Sequence, residues 1–329
     1  MTNIKILHCA NFSESKLGSV YYAIDRKISN GLIRNGHFVY DFSYREIAKN
    51  STIFKSKKFG IKYVNEALLK TVKNIEPDLL LLGHSELIAN DTLIKIKKLF
   101  PKMKIAMWWV DPIFNLKNIQ PRLDIVDNFF ITTDPVELKA INIKNEILKK
   151  CTYMPNLCDS SIDTFRSFEN TFYDYDLLFI GRASKQRESF INFLKENFSN
   201  LKVGLFGLNK KNIVSGSKYL DIISSTKIGI NYSRENNISL YTSDRIIHLA
   251  SNGVLVFSPE IPNFDKIFSD DEIVYFKNNS DFKEKVDFFI KNPQKRVEIA
   301  KKGWEKAHAS FNEKVVTKNM IDIIFKNEG

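Results

Sequence analysis

The chain has 329 residues, more than one core of ordinary size uses, so two domains of roughly 150 residues each are expected. A hydrophobic content of 43% excludes a disordered polymer, and no apolar run approaches the roughly 18 residues that a bilayer span requires. The formal net charge of +11 is unevenly spread: residues 1–150 hold 24 Lys and Arg against 15 Asp and Glu, residues 151–329 hold 25 against 23. Basic runs such as KSKK (55–58) and KIKKLFPKMK (95–104) would draw an anionic lipid surface, a phosphorylated acceptor or DNA to residues 55–104, although lysines solvating helix faces give the same composition. MTNIKILHCANF lacks the basic-then-apolar layout of a secretory signal, and a cytoplasmic location is expected. Cys9, Cys151 and Cys158 match no metal spacing and read as idle thiols.

IKILHCANF opens the chain as a short strand. Val20 to Asn35 then carries apolar residues at helical spacing up to Gly36, and HFVYDFSY follows as a second strand. YVNEALLKTVKNIEP predicts a helix ending at Pro77, DLLLLG a buried strand, DTLIKIKKLF a helix, and KIAMWWV, DNFFITT and CTYMPN further strands. This alternation predicts a doubly wound α/β domain over 1–155, with ligands at the carboxyl ends of its strands. The period is lost over 156–175, which reads as a linker. It resumes over 176–312 with DLLFIG, a helix through SFINFLKENF, the strands LKVGLFG and KIGINYS, a short helix, VLVFS, EIVYF and two amphipathic helices. The last helix, within 313–329, is long enough to pack back toward the first domain.

Chemistry is expected where the second-domain strands end. DLLFIG runs into GRASKQRESF, where Gly181 permits a tight exit and Arg182, Lys185 and Arg187 gather at a helix entry, a place that binds phosphate. GINYSREN ends another strand with Arg234 in its loop. In SLYTSDRIIHLASNGVLVFS, Tyr241 precedes Ser243 and Asp244, either of which can cap a helix starting at Arg245, and Asn252-Gly253 suits its left-handed stop. Two helix starts and several cations then converge, and a diphosphate would use all of them. The alternative is an ordinary αβ unit with solvated charges.

The order DLLFIGRASKQR, KIGINYSREN, YTSDRIIHLASNGVLVFS, DEIVYF and NPQKRVEIAKKGWEKAHASF resembles the C-terminal domain of the CgeB-like glycosyltransferases, within the wider GT-B group. WWVDP, TTDPVE and MPNLCD resemble the N-terminal domain of the same group. The resemblance implies two Rossmann-like domains facing across a cleft, the donor held by the second and the acceptor by the first. Gly181, Arg182 and Arg187 match the phosphate-side loop, Arg245 the basic residue of the family's R-x-F-E-A-x-A-x-G stretch, and Ala250 and Gly253 its small positions. His248 stands where relatives usually carry the glutamate that holds the ribose, and Leu240 falls on that glutamate's upstream partner. Glu235 and Glu260 are nearby acidic substitutes, and a buried structural role for His248 is the alternative.

The resemblance also implies a catalytic group in the first domain. His84 and Glu86 lie just past DLLLLG, and Asp111 just past MWWV; any of them could take a proton from an acceptor hydroxyl, or merely cap a helix or turn the chain. Gly18 and Trp109 are acceptor-side candidates. No His, Cys and Asp cluster has metal-ligand spacing, in agreement with a metal-independent site that neutralises a UDP-sugar with arginine; no cofactor beyond that donor is expected. The acceptor would be a hydroxyl of a surface glycan, a lipid-linked glycan or a protein. The rival readings are a DNA glycosyltransferase working through the basic first domain, which would flip a modified base, and a binding module without turnover.

Overall fold

The structure is a computed structural model that describes residues 3–118 and 120–326. Two compact units emerge, one of Met1–Pro155 with Glu313–Gly329, the other of Asn156–Asn312. Both are parallel-sheet α/β units of Rossmann type.

In the first unit, chain order is β1 (Lys5–Ala10), α1 (Ile24–Arg34), β2 (Phe38–Ser43), α2 (Tyr44–Asn50), α3 (Ile61–Ile75), β3 (Leu79–Gly83), α4 (Asn90–Leu99), β4 (Lys104–Trp109), β5 (Asn128–Ile131), α5 (Asn145–Leu148) and β6 (Cys151–Tyr153). The strands pair in parallel in the order β2-β1-β3-β4-β5-β6. Every residue of β3 is buried, as a continuous Leu run covered on both faces requires. α3 stops where Glu76 turns left-handed, one residue before Pro77. The sheet order reverses direction between β1 and β3, so the ligand crevice of this unit is expected at Ala10–Asn11 and Gly83–His84.

The second unit repeats the plan with β7 (Tyr175–Ile180), α6 (Lys185–Asn197), β8 (Val203–Phe206), α7 (Ser217–Ser224), β9 (Thr226–Ile230), α8 (Arg245–Ser251), β10 (Leu255–Pro259), β11 (Val274–Phe276), α9 (Asn279–Lys291) and α10 (Pro293–Ser310). Its order, β11-β10-β9-β7-β8, places the reversal between β7 and β9. Phe179, Phe190, Phe198, Phe257, Phe276 and Phe282 dominate a core of mutually edge-on and stacked rings. α11 (Glu313–Ile324) returns to the first unit and lies against α1. There Gly31 permits the approach, since a Cβ would stand 2.2 Å from the Glu313 carbonyl oxygen, and Arg34 pairs with the buried Glu313 carboxylate.

The stretch read as a linker, 156–175, is built into the second unit. Ser167 donates its amide to the Asn252 carbonyl (3.0 Å) and its hydroxyl to that of Thr226 (2.7 Å), and Asp159 and Asp163 are fully buried. Side-chain bonds satisfy an irregular backbone there, which is why no hydrophobic period marks it. Among the described residues no helix is long and apolar enough to cross a membrane.

Candidate active site

At the switch point of the second unit two buried arginines span the strand ends. Arg245, first residue of α8, donates from Nε to the Ile180 carbonyl at the end of β7 and from Nη1 to Tyr232 (3.3 Å) just past β9. Arg187, in the first turn of α6, donates from Nε to the same Tyr232 carbonyl (3.0 Å) and from Nη1 to Arg182 (3.0 Å). The Phe179 ring lies under both guanidinium groups, at 4.9 and 5.6 Å. Gly181 is required by this packing: a Cβ would stand 2.7 Å from Arg245 Nη2 and 3.0 Å from the Phe179 ring.

No direct ion pair among the described residues neutralises this cluster, although the Asp244 charge beside Arg245 offsets part of it. Arg187 and Arg245 are only 6% and 7% exposed, and among the described residues no carboxylate forms an ion pair with either, nor with Arg182 or Arg234. Burial, then the charges of Arg245 and Arg234, pull Arg187 down to about 10. Burial lowers Arg245 as well. Cations held together against mutual repulsion would be relieved by an anion beside them. The Ser184 hydroxyl, buried beside them at the start of α6, finds no hydrogen-bond partner. Arg182, Lys185 and Arg234 are exposed around this point, and Tyr241 is buried near both guanidinium groups.

Other candidate residues sit differently from what their spacing suggests. Asp244 precedes α8 but makes no side-chain cap, and the Ser243 hydroxyl reaches only Asn231 at 3.5 Å. At seven residues, α8 is too short to contribute a full helix dipole. The His248 ring is buried, with Nδ1 3.5 Å from Asp163, Nε2 3.9 Å from Asp244, and Tyr219 edge-on at 5.5 Å. Asp163 in turn accepts from the Asp159 amide and from Asn252. His248 is thus knitted into the interior beside the 159–163 turn. Gly253 closes α8 with φ +77°, and the only Asp-x-Asp triplet, Asp174–Asp176, lies at the opposite edge, where Asp176 pairs with Lys227 at 2.6 Å.

At the switch point of the first unit the chain folds sharply after β3. His84 and Ser85 both adopt left-handed backbone conformations, φ +56° and +51°, a cost that L-residues bear only where surroundings enforce it. Buried Arg122 does the enforcing. It donates to the carbonyls of His84 (3.4 Å), Ser85 (2.8 Å) and Ile88 and to the Asn90 side chain. Nothing in the local sequence marks Arg122, because its partners lie more than thirty residues away. The His84 ring stacks on Trp109 at 4.2 Å and meets Asp111 with Nδ1 3.7 Å from Oδ2. Burial lowers the His84 pKa, opposed in part by Asp111 and Glu86, so the imidazole is neutral at pH 7 and able to accept a proton. Glu86, by contrast, is committed: it pairs with Arg45 and accepts from the Tyr44 hydroxyl, and despite burial these contacts hold its carboxyl below the usual range. Gly18 lies on the exposed loop after β1 with φ +81°.

Two further features bear on ligands. Trp109 Nε1 and the Thr132 and Thr133 hydroxyls, at the carboxyl ends of β4 and β5, are buried without hydrogen-bond partners. Hollows of about 270 and 400 Å³ lie around Gln120, Asp124 and Lys144 and around Lys97 and Ile125, before β5 and β6. They are at the amino edge, opposite the strand ends that carry the candidate site residues.

Residues 184–322 match the family described as glycosyl transferase-like. No curated protein matches the chain significantly. Among solved structures, the fold is shared with sucrose-phosphate synthase from Thermosynechococcus elongatus (TM-score 0.65, 11% identity, 98% of each chain covered). The catalytic domain of starch synthase IV from Arabidopsis thaliana, bound to ADP and acarbose, is similar at TM-score 0.65, 10% identity and 99% of each chain. Anabaena HepE in complex with UDP and glucose is similar at TM-score 0.59 and 10% identity, over 98% of this chain and 100% of that one. The two Rossmann-like units therefore have the GT-B fold, and the family match over 184–322 with this fold supports a glycosyltransferase.

Proposed function

We propose that the protein transfers a sugar from a nucleoside diphosphate donor to a hydroxyl acceptor, in the manner of the CgeB-like branch of GT-B enzymes. The observation that carries this reading is the buried arginine cluster at the β7/β9 switch point, which has no ion-pair partner among the described residues. Arg187 and Arg245, already fixed by strand-end carbonyls, offer their remaining N–H groups to the diphosphate. Gly181 lets the phosphates come close, and Ser184 with the free amides at the start of α6 supplies further donors. Exposed Arg182, Lys185 and Arg234 add charge as the leaving nucleotide develops its own. Arginine charge is thus the counter-ion to the diphosphate, and activity is expected to persist in EDTA. The fold neighbours include proteins crystallised with UDP and with ADP, and UDP is the first donor nucleotide to test.

In the first unit the neutral His84 imidazole acts as general base. It accepts the acceptor hydroxyl's proton as that oxygen attacks the anomeric carbon, and Asp111 stabilises the imidazolium so formed. The unpartnered Trp109, Thr132 and Thr133 groups suit an acceptor rich in hydroxyls. Glu86 and His248, each engaged by neighbours, are left with structural work. The reading is tested by titrating the protein with UDP, ADP and GDP in a thermal-shift assay, alongside Arg234→Ala. Stabilisation by one nucleotide, weakened several-fold by the substitution and by salt, is expected; no response to any nucleotide sinks it.

A further inference from the structure

Between α2 and α3 the chain leaves regular structure without covering its apolar side chains. Ile53 is 96%, Phe54 83% and Phe59 75% exposed. Lys55, Lys57 and Lys58, interspersed with them, are exposed too, and no carboxylate occurs from Ser51 to Asn65. The preceding acid, Glu46, is buried and accepts from Ser15 and Ser43; the following one, Glu66, faces Lys62 at 4.0 Å. The base of the loop is braced. Thr52 Oγ1 accepts the Ser56 amide at 3.0 Å, and Gly60 lies so close to α2 that a Cβ would overlap the Ala48 carbonyl oxygen. The apolar side chains are therefore presented by a held loop.

We propose that this loop docks the protein onto an anionic lipid bilayer. One exposed phenylalanine is ordinary, but three large apolar residues among three lysines, with no acid to quench them, have two complementary needs. The rings and the isoleucine gain by entering the boundary between headgroups and acyl chains, and the ammonium groups gain by remaining among lipid phosphates. Duplex DNA would satisfy the lysines and leave Ile53 and Phe54 in water. An acidic protein would have to present an apolar hollow as well. The loop also lies at the carboxyl edge of its sheet, since α2 leaves the carboxyl end of β2 and α3 leads to the amino end of β3; His84 and Asp111 lie at that same edge. The corollary that the acceptor is a lipid-anchored glycan rests on the transferase reading; the docking itself does not.

The test is co-sedimentation of the full chain with vesicles of phosphatidylcholine alone and with phosphatidylglycerol added, with UDP binding measured in parallel. Binding is expected only to the anionic vesicles and to weaken with salt. Lys55→Glu/Lys57→Glu/Lys58→Glu should lower it on the order of 100-fold, and Phe54→Ser/Phe59→Ser about tenfold. Both variants change exposed residues of the first unit and should unfold at the wild-type temperature and respond to UDP as wild type does, which separates loss of docking from loss of fold. Three results overturn the proposal: no binding to anionic vesicles, binding unaffected by either variant, or a patch occupied by duplex DNA or by a second copy of the chain in solution. A protein that docks on vesicles yet ignores every nucleotide would leave this inference standing and remove the transferase reading.

Discussion

The two switch points have the same strand order and opposite electrostatics. Around β1 and β3 most charges are matched: Arg45 pairs with Glu86 and Arg26 with Asp41, while Arg122 is held by backbone carbonyls with the Glu86 charge near it, leaving a neutral imidazole beside one carboxylate. Around β7 and β9 the arginines are stapled to carbonyls and keep their charge. Topology therefore sets where a ligand is expected, and the local charge balance sets what kind of group each crevice favours. In the proposed division one unit handles the proton and the other the phosphates.

That division can be broken. The largest effect is expected for His84→Gln, which should cut turnover on the order of 1000-fold while UDP affinity stays within twofold. The wild-type rate should also fall as pH drops through the lowered His84 pKa, because the protonated ring is no longer a base. A loss of nucleotide affinity in this variant would collapse the distinction. Next comes Arg245→Met. It removes two bonds to strand-end carbonyls and one cation, so UDP affinity should fall about 100-fold and unfolding should become easier by about 3 kcal/mol. Lysine should not rescue it, since one ammonium cannot span Ile180 and Tyr232. UDP binding by Arg245→Met equal to wild type would falsify the phosphate assignment. Gly181→Ala sharpens the comparison without touching charge: a methyl pressed against Nη2 displaces the guanidinium, and roughly a tenfold loss of affinity is expected by calorimetry.

The smallest effect concerns stability in acid. His8 is wholly buried, its Nε2 accepting from Trp108 Nε1 at 3.1 Å and its Nδ1 meeting Ser29 at 2.8 Å, and burial pushes its pKa down to about 3. A depressed histidine contributes stability that is intact above the unfolded value near 6.5. That stability is lost as pH falls toward 3, because the unfolded chain takes up the proton first. Asp25, raised by burial to about 6, acts in the opposite sense between roughly pH 4 and 6. Comparing urea unfolding of wild type and His8→Gln cancels the Asp25 contribution. The gap between the two should narrow as pH falls from 6.5 to 4, and a gap independent of pH would show that His8 is not held neutral.

Much of the architecture is written locally. Runs such as DLLLLG and VLVFS read as buried strands by their length and flanks, and the helical spacing between them points to a doubly wound α/β plan. The loops and helix starts bearing Gly181, Arg187, Arg234 and Arg245 were legible because they follow such strands. Their burial was not: an arginine at a helix start looks solvated in sequence, and only the folded chain brings strand-end carbonyls within reach of its guanidinium. Distance along the chain hides the rest. Arg122 holds residues 84–90 from afar, Tyr44 and Arg45 claim Glu86, and Asp163 reaches His248 across 85 positions. The segment 156–175 carries no period because single side chains anchor it one by one.

The discontinuity of the first unit has a practical meaning. Residues 156–312 form one uninterrupted stretch whose ends are neighbours: Cys158 bridges Asn312, and its amide donates to the Phe311 carbonyl at 2.9 Å. The second unit is thus inserted into the sequence of its host like a cartridge, with entry and exit side by side. Swapping that cartridge between homologues should be a route to exchanging nucleotide preference, whereas trimming the C-terminus would strip a helix from the host.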